Sequence, residues 1–278
     1  MRIANLSGRL ALISGELAVD VATASDGRFS ADPQAVFEQF GEFRSWAASA
    51  VLPAGTAFDP AALGAPAPRP RQVFAIGLNY GAHAAESGLA APPSPAVFTK
   101  FVTSVTGPYT EVRLPDGQVD WEVELVAIIG RRAEYATAAD AWSHVAGLTA
   151  GQDLSERALQ MVGAAPQFSL AKSYPGFAPM GPWLVTADEF ADPADLELSC
   201  AVNGELMQKA RTSEMIFSVP ELIEKLSAVT PLLPGDVIFT GTPSGVGMGR
   251  TPQRFLQPGD VLTTTIRGIG SLRQTFAS

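Results

Sequence analysis

Several things are scarce in this chain of 278 residues. It has one cysteine, two histidines and only 17% charged residues. Cys200 alone excludes an internal disulfide and suits a reducing compartment. Because it sits in the alternating run Leu196–Val202, it reads as a core residue. No apolar stretch approaches membrane-spanning length, and Met1-Arg2-Ile3-Ala4-Asn5 lacks a signal-peptide core. The expectation is a soluble cytoplasmic protein. Positive charge is also short: 19 Lys and Arg stand against 28 Asp and Glu, a net charge of -9. That balance argues against nucleic acid or an anionic membrane as partner. A small anionic substrate would need a local cation to bind.

Apolar residues are ample (46%), and 26 Gly with 22 Pro favour many turns and short strands over a helical bundle. Arg2–Leu6, Arg9–Ile13 and Glu16–Val21 read as short strands punctuated by Ser7-Gly8 and Ser14-Gly15. Asp32 with Pro33 predicts a helix start, followed by Val36, Phe37, Phe40 and Phe43 at helical spacing. Residues 1–52 therefore form a small N-terminal α+β unit. Residues 53–70, rich in Pro and Ala, read as a linker, and 71–278 as the main domain.

The main domain is organised around Val119-Asp120-Trp121-Glu122-Val123-Glu124-Leu125, which runs on apolar to Ile129. A period of two predicts a strand with Asp120, Glu122 and Glu124 on one face. Two readings stand side by side: a solvated acidic edge, or carboxylates gathered on a divalent cation. Elsewhere, His83 and Glu86 are three apart beyond the strand Val73–Gly77, so one helical turn makes them an acid/base pair. The small residues of Gly81–Pro95 suggest a lid. A strand is expected at Ala96–Thr103 and a helix over Ala133–Ala146, with His144 at its C-terminus. Asp153 reads as a helix N-cap, Arg157 and Gln160 share a helical face, and Lys172 lies in a loop. Ser218-Val219-Pro220-Glu221 has capping-box spacing. Gly241-Thr242-Pro243-Ser244-Gly245-Val246-Gly247 lacks the Gly-Lys-Ser/Thr ending of a phosphate loop. It reads instead as a turn whose amides and Thr242 hydroxyl hold a carboxylate.

Gly77-Leu78-Asn79-Tyr80 with His83 and Glu86, Asp120 to Leu125, Gln152 to Arg157, Ala171-Lys172-Ser173, Val202 to Glu205, Pro234 to Ile238 and Gly241 to Gly247 together resemble the fumarylacetoacetate hydrolase family. The order and spacing hold across about 70–278. That resemblance implies an α+β, predominantly β fold: a mixed β-sandwich roll, β-barrel-like, with few helices. It also implies a homodimer and an Mg²⁺ or Mn²⁺ site held by Glu122, Glu124 and Asp153, with Asp120 behind them. His83, Glu86 and Lys172 would be catalytic. Tyr80, Arg157, Gln160, Gly241 and Thr242 would bind substrate, a small anionic keto acid. The expected activity is hydrolysis of the carbon–carbon bond of an acylpyruvate-like diketo acid. Decarboxylation or isomerisation of oxaloacetate-like or hydroxy-dienedioate substrates is the alternative.

Overall fold

The strand Val123–Ile129 is buried along its whole length. Its odd residues, Val123, Leu125, Ala127 and Ile129, enter one apolar cluster, whereas Val126 and Ile128 enter another on the opposite face. Alternation on a strand buried on both sides explains the unbroken apolar run. Glu124 lies on the even face, so a carboxylate continues a row that is otherwise core.

The computed structural model describes residues 1–278. Val123–Ile129 sits in a twelve-stranded mixed sheet. It pairs antiparallel with Val145–Gln152 on one side and Val237–Phe239 on the other. Beyond Val237–Phe239 come Val73–Gly77, in parallel, and Ala96–Thr99. A five-stranded sheet, Glu205–Arg211, Glu197–Val202, Val261–Ile266, Gly270–Ala277 and Tyr109–Arg113, packs over the odd face. Leu198, Cys200, Val202 and Leu262 meet Trp121 and Leu125 in one cluster of 36 buried residues. Cys200 is a core residue, as its alternating run suggests.

The N-terminal strands are Arg2–Leu6, Arg9–Ser14 and Leu17–Asp20. Ser7 (φ 51) and Gly8 (φ 79) turn the first hairpin with two left-handed residues, the twist a two-residue hairpin needs. Arg2 and Ile3 pair with Val185 and Leu184, so these strands continue the large sheet. Within 53–70, Thr56–Ala57 pairs with Leu17–Asp20 and Leu63–Gly64 pairs with Arg2–Leu6. Phe37, Phe40 and Phe43 share a cluster with Val126, Met180 and Phe239.

The structure corrects several local expectations. The main sheet stays open at Thr56–Ala57 and Ala96–Thr99, so no barrel closes. The strand expected to run to Thr103 ends at Thr99 because Lys100 turns inward to buried partners. No α-helix starts at Asp32: Arg69 binds both its oxygens, and the helix begins at Phe40 after a 3₁₀ turn. Ala133–Ala146 is not helical apart from a 3₁₀ turn at Ala141–His144. Its backbone is spent on tertiary bonds, Ala133 N–H to Leu232 O and Tyr135 N–H to Ser227 O. The capping box at Ser218 and Glu221 is present and opens the helix Val219–Ser227. No helix is long and apolar enough to cross a membrane.

Candidate metal centre and active site

Antiparallel pairing builds the acidic cluster. Glu124 stands opposite Gly151, and the Asp153 N–H donates to Glu122 O at 3.0 Å. Gly151 is required here, since a Cβ would lie 2.6 Å from Val126 and 2.8 Å from Phe239. Glu122, Glu124 and Asp153 each offer an oxygen, all within 4.8 Å of one another, and all three are buried. The acidic stretch is two strands, Val119–Asp120 and Val123–Ile129, with a break at Trp121-Glu122. Asp153 is not an N-cap. Glu156 caps the helix Arg157–Gln160 by accepting from the Ala158 and Leu159 N–H groups, which leaves Asp153 free to face the cluster.

Buried cations surround two of the three acids. Lys172 Nζ lies 2.8 Å from Glu122, 2.7 Å from Asp153 and 2.7 Å from Ser155 Oγ. Lys100 Nζ is 2.5 Å from Asp153 Oδ1 and also donates to Lys172 O. Arg157 places Nη1 2.8 Å from Glu122 and Nε 2.9 Å from Asp120. Its Nη2 also sits 2.9 Å from that Asp120 oxygen, at an angle that gives no hydrogen bond. Burial would raise the Glu122 carboxyl, but Lys172 and Arg157 outweigh it and hold it at about 2. Burial would lower Lys172, yet Asp153 and Glu122 keep it above its usual range. Lys100 is pushed down by burial.

Glu124 differs. It accepts one hydrogen bond, from the Gly241 N–H at 2.8 Å, and has no cation in contact. Burial, then Asp153 and Glu122, raise it well above the ordinary carboxylate range. An acid held among acids without a counter-charge is what a divalent cation relieves. Three carboxylates with no Cys or His among them suit a hard cation such as Mg²⁺ or Mn²⁺. The residues fit that group.

A cavity of about 170 Å³ opens beside the cluster, and Glu122, His83, Arg157, Gln160, Lys172 and Thr242 line it. His83 is on the helix Gly81–Glu86 with its Nδ1 3.2 Å from Glu86 Oε2. Gln160 Oε1 accepts from Arg157 Nη1, and the Thr242 hydroxyl accepts from Gln208. Glu86, Glu124 and Asp153 stand behind this wall. Two sequence-derived candidates lie off it. The Gly241 N–H is engaged by Glu124, and the Tyr80 hydroxyl is buried without a partner. Burial, then Glu124, raises the Tyr80 hydroxyl far above its ordinary range. His144 takes no part, with Nδ1 on Arg132 O and Nε2 near Asp140.

The glycine-rich turn does hold carboxylates, and they are the protein's own. Gly241 N–H binds Glu124, Gly245 N–H binds Glu86, and the Gly247 and Met248 N–H groups bind Asp120. Three residues to which the sequence assigns no role complete the support: Lys100, Ser155 and Gln152, whose Oε1 accepts from the Glu122 N–H at 2.8 Å.

A sequence model of the fumarylacetoacetate (FAA) hydrolase C-terminal family matches residues 72–277. The mitochondrial oxaloacetate tautomerase FAHD2B of Bos taurus is 45% identical over 208 residues, 74% of this chain and 66% of that protein's length. The 2,4-didehydro-3-deoxy-L-rhamnonate hydrolase of Sphingomonas sp. (strain SKA58) is also 45% identical, over 73% of this chain and 72% of its own. Among solved structures, maleylpyruvate hydrolase from Sphingobium sp. SYK-6, in complex with manganese(II) and pyruvate, superposes with TM-score 0.81. It shares 29% identity and full coverage of both chains. The chain belongs to the fumarylacetoacetate hydrolase family.

Proposed function

We propose that this chain is a divalent-metal-dependent hydrolase that cleaves the carbon–carbon bond of an acylpyruvate-like 1,3-diketo acid. One observation carries the proposal. A buried histidine oriented by a carboxylate shares a small cavity with Glu122, the cavity-facing member of the carboxylate cluster. Glu122, Glu124 and Asp153 would hold the cation, which when bound supplies Lewis-acid stabilisation of charge on the substrate's α-keto and carboxylate oxygens. Arg157 and Gln160 orient the substrate from one wall, and Thr242 offers its hydroxyl from another. Glu86 accepts from His83 Nδ1–H and so leaves Nε2 unprotonated to act as base. His83 takes a proton from water, the hydroxide adds to the distal carbonyl, and the tetrahedral carbon collapses. The bond to C3 breaks with its electron pair left on the pyruvate half. Lys172, fixed by three acceptors, opposes that charge as an enolate. The proton held by His83 then returns to C3, giving pyruvate and a carboxylic acid.

A second reading has a specific observation behind it, the likeness to an oxaloacetate tautomerase. The same residues could move a proton between carbon and oxygen of an oxaloacetate-like acid, or assist its decarboxylation or the isomerisation of a hydroxy-dienedioate. None of these requires attacking water. The test is turnover of acetylpyruvate and oxaloacetate with Mg²⁺ or Mn²⁺, with and without EDTA, by the parent and by His83→Ala. Hydrolysis of acetylpyruvate that EDTA abolishes and His83→Ala slows by about 10²–10⁴-fold is expected. Hydrolysis at the parent rate in His83→Ala would remove the assigned base. Turnover confined to oxaloacetate would establish the second reading instead.

A further inference from the structure

No unpaired basic side chain lines the cavity to meet a second anion on the substrate. Four buried carboxyls, Asp120, Glu122, Glu124 and Asp153, face three buried cations, Lys100, Arg157 and Lys172. Only two basic side chains other than His83 line the cavity, and both are ion-paired. Arg157 is paired with Asp120 and Glu122 and donates to Gln160, with only Nη2 making no hydrogen bond, and Lys172 is held by Glu122, Asp153 and Ser155.

Beside Glu122 and the uncharged polar Ser87, Gln160 and Thr242, the wall is apolar: Ile76, Leu78, Leu89, Met161, Phe168 and Met248. Leu78 is held at φ 56, a left-handed conformation uncommon for a bulky residue. Asn79 fixes that turn, donating to Phe217 O and Thr240 O and accepting from the Phe217 N–H. Backbone strain is thus accepted where an apolar side chain meets the cavity. The three segments around the cavity, 81–99, 158–171 and 241–249, contain no Lys or Arg.

Resting on the hydrolase reading above, we infer that the distal arm of the substrate is uncharged. The chain then acts on acylpyruvates that end in an alkyl or hydroxyalkyl group and discriminates against those with a second carboxylate. Leu78, Leu89, Met161, Phe168 and Met248 determine that specificity. An unpaired carboxylate against such a wall lacks both water and a counter-charge.

The experiment compares acetylpyruvate, whose distal group is a methyl, with fumarylpyruvate and oxaloacetate, which each carry a second carboxylate. kcat/KM for acetylpyruvate should exceed that for fumarylpyruvate by at least about tenfold, the usual scale of a missing pocket interaction. Calorimetric titration of Mn²⁺-loaded His83→Ala with both acylpyruvates should give the same order of affinity. Met161→Arg, at a rim position 55% exposed, supplies the missing cation and should shift the ratio toward fumarylpyruvate. If fumarylpyruvate is cleaved as well as acetylpyruvate or better, the neutral-arm inference fails and the hydrolase reading stands. An unchanged ratio in Met161→Arg counts against the inference in the same way. If neither acylpyruvate is cleaved while oxaloacetate is turned over, both fail together.

Discussion

Gly249→Ala isolates the placement of Glu86 from everything else in the site. A Cβ built on Gly249 lies 2.5 Å from Glu86 Cδ, 2.6 Å from Cγ and 2.7 Å from Oε1. Carbon atoms rest at about 3.5–4.0 Å, so the carboxyl must retreat by about 1 Å. The backbone at Gly249 is not left-handed, so alanine suits it. What yields is the tip of a side chain 18% exposed, so the fold should survive. Retreat breaks the Gly245 N–H bond to Oε1 (2.9 Å), the contact with His83 Nδ1 (3.2 Å), or both. Misplacing a catalytic group by that much costs on the order of 10²-fold in rate, within the 10²–10⁴-fold a general base contributes. The expected result is kcat for acylpyruvate hydrolysis lower by roughly 10 to 10²-fold, with Mn²⁺ affinity, read by electron paramagnetic resonance, unchanged. The metal site is spared because Glu124 is held by Gly241, outside the perturbed contact. Combining Gly249→Ala with Glu86→Asp withdraws the carboxyl by one methylene and should recover part of the lost rate. Parent-level kcat in Gly249→Ala, or no recovery in the double variant, would refute the view that this glycine sets the position of Glu86.

The sequence reveals the acids of this site better than what holds them. Period two across 120–124 points to a clustering of Glu122 and Glu124, although the strand breaks at Trp121-Glu122 and Glu122 reaches the cluster from that break. Asp153 was harder. Its neighbours suggested a helix start, and only the pairing of Val123–Ile129 with Val145–Gln152 brings it to Glu122. The His83–Glu86 pair was legible because both partners sit in one helical turn. The sequence reading assigns Lys100 no role, although a lysine entering an apolar strand is itself a signal of a buried partner. The partner, Asp153, is 53 residues away, and local pattern carries no information about that distance. Backbone amides leave still less trace. The amides of 241–248 hold Glu124, Glu86 and Asp120 while the Thr242 hydroxyl accepts from Gln208, and side-chain pattern alone cannot tell a substrate's carboxylate from these. At the level of the fold, strands were found and closure was not. Whether a sheet curls into a barrel depends on which edges meet, and here the edges Thr56–Ala57 and Ala96–Thr99 do not.

Two further outcomes are expected. Residues 90–95 make no backbone hydrogen bond and are mostly exposed, whereas Gly81–Glu86 is helical with His83 and Ala84 buried. The part of the expected lid free to move is therefore 90–95, since Ser87, Gly88 and Leu89 donate back to the helix Gly81–Glu86. Amides of Ala90, Ala91 and Ser94 should exchange rapidly and slow when oxalate and Mg²⁺ are added, and strong protection in both states would contradict this. Lys100→Met keeps the buried stem and removes the charge. Asp153 Oδ1 and Lys172 O each lose a donor, and breaking a buried pair from one side costs about 3–5 kcal/mol. The metal-free variant should therefore melt well below the parent in calorimetry. Mn²⁺ should then recover more of the melting temperature than it adds to the parent, because a cation at the cluster replaces the counter-charge that Asp153 has lost. Equal metal-induced shifts in the two proteins would mean that Asp153 does not face the cation, and that Lys100 supports the fold without bearing on the metal centre.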